Sequence, residues 1–85
     1  MPKIAVIQTL TPRGANQTEI EHANGVTVFY SYRTPVAVFV PGHGALTTEQ
    51  HYSRTTSRHI SAAVARWGCS RKAVPQSEIN RHANA

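Results

Sequence analysis

The segment Ser53-Arg54-Thr55-Thr56-Ser57-Arg58-His59-Ile60-Ser61-Ala62-Ala63-Val64-Ala65-Arg66-Trp67-Gly68 constrains this chain most, because it is the one stretch whose pattern specifies a helix. Ile60, Val64 and Trp67 recur at i, i+4 and i+7, and Ala63 lies beside them in one apolar stripe. Ser53 or Thr55 is placed to accept the first free amide hydrogens, and Gly68 supplies a left-handed stop. A helix with a single apolar face must bury that face against another layer.

The residues before it read as that layer. Lys3 to Leu10 alternate loosely as a strand, and Thr11 to Asn16 form a loop by their Pro and Gly content. Thr18 to His22 alternate polar and apolar, Asn24-Gly25 signals a type I′ hairpin turn, and Val26 to Tyr32 return. Pro35 opens a further strand through Val40, Pro41-Gly42-His43-Gly44 turns, and Ala45 to Thr48 run back. The expected fold is α+β: a small antiparallel sheet of four to five strands with one amphipathic helix packed on one face. Val28, Tyr30, Val36, Val38, Ile60, Val64 and Trp67 are expected to share one core. Residues 1–68 then form a single domain, and 69–85 a polar, basic tail that is either a short helix capped by Ser77 or disordered.

Charge is distributed unevenly. Up to Ser53, Lys3, Arg13 and Arg33 balance Glu19, Glu21 and Glu49; beyond it Arg54, Arg58, Arg66, Arg71, Lys72 and Arg81 face only Glu78, which accounts for the whole net charge of +5. A neutral body with a basic end suits an anionic partner. Seven of the nine basic residues are arginines, whose planar fork matches phosphate or carboxylate. The residues expected to bind such a partner are Ser53, Arg54, Thr55, Thr56, Arg58, Arg66, Arg71 and Lys72. Arg54 and Arg58 stand at the positive end of the helix dipole with no nearby acid, among four hydroxyl residues, so they and the free amides outline an anion pocket. The plainer alternative is one capping hydroxyl, solvated neighbours, and arginines paired with Glu49 or a sheet carbonyl.

Other chemistries find less support. The chain has no aspartate, and its four glutamates are dispersed, which argues against carboxylate-based hydrolysis. The five histidines include no i, i+4 pair on a helix, and Cys69 has no second thiol, so neither a metal site nor a cofactor is expected. A thiol following a helix C-terminus is also a poor nucleophile. A lone cysteine points to a reducing compartment, and Ile4 to Ile7 are too few for the apolar region of a signal peptide. The aromatics Phe29, Tyr30, Tyr32, Phe39, Tyr52 and Trp67 suit a core more than a base-stacking platform.

Ser31-Tyr32-Arg33-Thr34-Pro35-Val36-Ala37, followed by Tyr52-Ser53-Arg54-Thr55-Thr56-Ser57-Arg58-His59-Ile60 and Trp67, resembles a family of small uncharacterised domains encoded by bacteriophages, plasmids and their hosts. Its pattern is S-Y-x-T-P-V-A, then Y-S-x-T-T-S-+-H-I, and the likeness covers roughly Val28 to Trp67, about half the chain. The resemblance implies an origin rather than a chemistry: an accessory protein of a mobile element in the bacterial cytoplasm. The expected function is non-enzymatic binding that modulates a host or phage protein, such as a bacterial defence complex. The alternative is direct nucleic-acid binding through the basic helix and tail, although no helix-turn-helix, zinc finger or RNA-binding sheet motif is present.

Overall fold

The computed structural model describes residues 9–14 and 16–84. The strand expected over Lys3 to Leu10 therefore lies mostly outside the described residues. Six strands and two helices follow in the order β1 (Thr9–Gly14), β2 (Gln17–Glu21), β3 (Thr27–Ser31), β4 (Thr34–Val40), β5 (Gly44–Thr48), α1 (Arg54–Trp67), β6 (Arg71–Val74) and α2 (Gln76–Ala83). The fold is α+β as expected, and the six strands form one sheet in sequence order. Neighbours are antiparallel except β5 and β6, which run parallel. Helix α1 supplies the crossover that a parallel pair requires.

Several local expectations change. The strand expected to end at Leu10 continues through Thr11 to Gly14, which were expected as a loop, with an irregularity between Pro12 and Gly14 that accommodates both residues. The Asn24-Gly25 hairpin is not type I′, because Gly25 alone has positive φ (90°) there. Instead His22 accepts from the Gly25 amide at 2.9 Å, Asn24 Oδ1 accepts from Val26 at 3.0 Å, and the loop spans three residues. In β4 the register slips between the Phe29–Ala37 and Tyr30–Pro35 pairs. Val36 is the extra residue of that bulge, so Val36 and Ala37 both enter the same cluster.

Helix α1 forms where expected. Ser53 caps it by accepting from the Thr56 amide at 3.1 Å, and Gly68 (φ 68°) ends it, donating to Val64 and Ala65. Thr56, Ile60 and Ala63 are its buried residues.

The single core becomes two, one on each face of the sheet. Phe29, Val36, Ala37, Ile60 and Ala63 pack under α1 with Val64 and Trp67 around them. Val28, Val38, Val74 and Ile79 pack on the other face under α2, joined by Tyr30, Leu46 and others. Alternation along β3 and β4 requires this split, since Val28 and Phe29 are neighbours and point to opposite sides. The expected boundary at residue 68 is also corrected. The tail closes the sheet with β6 and covers its second face with α2, where Ile79 is fully buried. Helix α2 starts at Gln76, after Pro75 and without a side-chain cap, and the Gln76 side-chain amide donates to the Pro35 carbonyl at 2.8 Å.

Candidate functional site

The two segments that carry the resemblance meet at the N-terminal end of α1. Ser31, the last residue of β3, is 2% exposed. Its hydroxyl lies 3.1 Å from Thr56 Oγ1 and 2.8 Å from His59 Nδ1, so it ties the first turns of α1 to the sheet. Tyr32 follows at φ 59°, a left-handed conformation that costs a bulky side chain about 1–2 kcal/mol. The turn is held because the Tyr32 amide donates to the Asn16 carbonyl at 2.7 Å. The Tyr32 ring lies 6.2 Å from the His59 ring. Ser31, Tyr32, Thr34, Tyr52, Ser53 and Thr56 line a cavity of about 190 Å³ beside it.

A serine 2.8 Å from a histidine nitrogen invites a nucleophile–base reading. The surroundings favour a structural contact. Ser31 is buried and shared with Thr56, and the following amide, where an oxyanion donor would stand, is engaged by Asn16.

The eight residues expected to bind an anion do not converge. Ser53 is used as the cap and Thr56 faces the sheet. Arg54 and Arg58, one turn apart, lie on the side of α1 away from Thr56, Ile60 and Ala63. Both are exposed, and neither makes an ion pair among the described residues. Thr55 is half-buried. The anion pocket is therefore corrected to a capped helix end with two arginines on its outer face. Arg66 is committed elsewhere: its guanidinium bonds the buried Glu19 carboxylate at 2.8 Å and lies over the Phe29 ring. Arg71 and Lys72 are consecutive on β6 and so point to opposite faces. Arg71 shares the α1 side, where it reaches Ser61 Oγ at 3.5 Å.

The surface that does form is one the charge pattern missed. Among the described residues, the exposed large hydrophobic side chains are Tyr32 (53%) and Tyr52 (39%). Both border the cavity at the start of α1; exposed Arg33 follows Tyr32 directly, and exposed Arg54 follows Tyr52 after Ser53. The signal was present in the two motif segments, each of which pairs serine with tyrosine. A second opening, a groove of about 420 Å³, runs between α1 and the β5–β6 edge and includes Thr47, Ser57, Ile60, Arg71 and Ala73.

Two titration shifts lie away from both openings. Burial pushes the Tyr30 hydroxyl above its ordinary range. A hydrogen bond from Arg81, opposed by desolvation and aided by the charges of Arg81 and His82, holds the Glu78 carboxyl below its own. Among the described residues no group of three His, Cys, Asp or Glu side chains is placed to hold a metal ion, and no helix is long and apolar enough to cross a membrane.

Residues 8–81 match a family of unknown function (DUF8033). The match includes the N-terminal strands, β6 and most of α2, which the motif likeness over Val28 to Trp67 left out. No curated protein and no solved structure matches the chain.

Proposed function

We propose that this chain, which belongs to that family of unknown function, is a non-enzymatic accessory protein that binds an acidic site on another protein and modulates it by occupying that site. The observation that carries the reading is the pairing of exposed Tyr32 and Tyr52 on one cavity at the start of α1, with exposed Arg33 next to Tyr32 in the chain and exposed Arg54 and Arg58 in the first turns of that helix. Tyrosine and arginine are the side chains that dominate binding energy at protein interfaces. Tyr32 is kept on the surface at a cost in backbone strain, and such outliers gather at functional positions. The likeness to phage and plasmid proteins supports a bacterial cytoplasmic setting, with a host or phage protein, including a defence complex, as the target.

Nucleic acid is the weaker alternative. A phosphate backbone is followed by a continuous basic track. Here Arg66 is paired with Glu19, while Arg71 and Lys72 diverge.

Capture from a bacterial lysate on immobilised protein, across a salt series and with nuclease treatment, tests the reading. A protein should be retained, and nuclease should not release it. Tyr52→Ser and the double change Arg54→Gln/Arg58→Gln should each release it. Tyr32→Gly is the sharpest variant. It should lose the partner while stabilising the fold by about 0.5–1 kcal/mol, the relief of left-handed strain less the entropy cost of glycine. Retention of nucleic acid, or capture indifferent to these changes, would overturn the proposal.

A further inference from the structure

We infer that the outer edge of β6 takes up an extended acidic segment of a partner protein, which adds to the sheet as a further strand. This does not rest on the tyrosine surface. β6 is the last strand of the sheet, and among the described residues it pairs with β5 alone. Two bonds fix how its peptide groups point: the Ala45 amide donates to the Ser70 carbonyl at 3.1 Å, and the Glu49 amide to the Val74 carbonyl at 2.8 Å. Backbone groups alternate in direction along a strand, so Ser70, Lys72 and Val74 turn theirs toward β5. Arg71 and Ala73 then turn their N–H and C=O groups outward, and both residues are exposed. Such a row of free donors and acceptors is a template for another strand.

The space above that edge suits the added side chains. Arg71 and Ala73 face the α1 side, where the groove of about 420 Å³ lies between the sheet edge and Ser57, Ile60 and Ser61. Ser57 and Ser61 on the helix wall and Thr47 and Ala73 on the sheet wall are small and leave it open beside Arg71, while Glu49, Gln50 and His51 from the β5–α1 connection complete its lining. Every second residue of an added strand would enter it.

Charge selects the occupant. Arg71 puts a positive charge on one face of the edge and Lys72 puts one on the other, and β6 carries no acid. Two copies of this chain are poorly matched. Antiparallel pairing of Arg71 with Ala73 sets Lys72 against Lys72, and pairing centred on Arg71 sets two guanidiniums together; like charges directly opposed are destabilising. Centring on Ala73 brings Pro75, which has no amide hydrogen, into the ladder. A segment with acidic residues opposite Arg71 and Lys72 and an apolar residue opposite Ala73 satisfies all three positions.

The test uses the full chain, labelled with ¹⁵N, and a capped peptide of repeating Val-Glu-Glu about eight residues long, a typical strand length. The Arg71 and Ala73 amides should shift and gain exchange protection, while the Lys72 and Val74 amides, already turned to β5, should change little. Arg71→Glu/Lys72→Glu should weaken binding roughly tenfold and transfer preference to the Val-Lys-Lys peptide. Tyr32→Gly should leave the affinity unchanged, which separates this site from the tyrosine surface. Unchanged remote amides verify folding of each variant. Absence of a β6 response, equal affinity of the charge-reversed variant, or shifts centred on Tyr52 and Arg54 would overturn the inference. So would a dimer in sedimentation that depends on Arg71 and Lys72.

Discussion

Truncating Ile79 to alanine tests whether the tail belongs to the fold. Ile79 is fully buried against Val28, Val38 and Val74, and it is the sole buried residue of α2. The change removes three carbon atoms, about 2.4 kcal/mol at ~0.8 kcal/mol per methylene. The cavity left between a short helix and a rigid sheet raises this to about 3–4 kcal/mol. A domain of 85 residues has on the order of 4–13 kcal/mol in total, so Ile79→Ala should leave it marginal. Urea unfolding should be followed by the fluorescence of Trp67, the single tryptophan. Trp67 packs on Phe39 under α1, on the face opposite Ile79. Loss of α2 packing must therefore be felt through the sheet. A midpoint shift worth less than about 0.5 kcal/mol, the scale of an ordinary surface change, would refute the argument. A helical signal that melts ahead of an unmoved Trp67 transition would refute it equally, because the two faces would not then form one cooperative unit.

Ser31→Ala should cost about 1–3 kcal/mol, because the buried Thr56 hydroxyl and the partly buried His59 ring each lose a partner; an unchanged urea midpoint would show that the network is dispensable. The Glu78 carboxyl, held low chiefly by its hydrogen bond from Arg81, contributes stability that is present above the ordinary carboxylate range and is lost as pH falls through its lower folded value. Acid titration of α2 helicity should show that limb, and Glu78→Gln should flatten it. Tyr30 has the opposite sign: its raised value favours the neutral phenol, so its contribution is complete below about pH 10 and fades as pH rises through the folded value. Tyr30→Phe should remove that alkaline loss, seen in the thermal midpoint.

How much of the fold the sequence discloses depends on how many faces each element buries. α1 has one apolar stripe, a serine before it and a glycine after it, and its bounds follow from those residues. β2 to β5 carry alternation or dense Val and Phe, and their order is read from the turns between them. β6 offers no such signal. It has four residues, two are charged, and Val74 alone is buried. A short strand at a sheet edge has neighbours on one side only, so its composition is nearly that of a loop. α2 is similar, with one buried side chain in eight residues. Both are stabilised by what they pack against, and pattern within a segment cannot report that. The split core has the same origin: Val28 and Phe29 are equally apolar, and a second cover for the sheet is what permits both to be buried.

The site was legible in a different way. Net charge singled out arginines, yet charge counts are blind to direction and to pairing. Arg66 is consumed by Glu19, a residue 47 positions away whose carboxylate would otherwise be buried with fewer partners. Arg71 and Lys72, adjacent in sequence, are separated by the thickness of the sheet once they are known to lie on a strand. The motif segments carried information of another kind, because they combine residues that do not need each other locally. No helix requires a serine in the preceding sheet, and no β-turn favours tyrosine at positive φ. Ser31, Tyr32, Thr56 and His59 make sense only together, as a polar joint that holds an aromatic ring at the surface against its backbone preference. Among the described residues, the basic side chains left after pairing and geometry are taken into account fall into two groups: Arg33 beside Tyr32 with Arg54 and Arg58 in the first turns of α1, and Arg71 with Lys72 on the β6 edge. Each group stands beside an unsatisfied feature of another kind, exposed aromatic surface in one case and free backbone groups in the other, and that coincidence, rather than the net charge, is the reason to look for partners there.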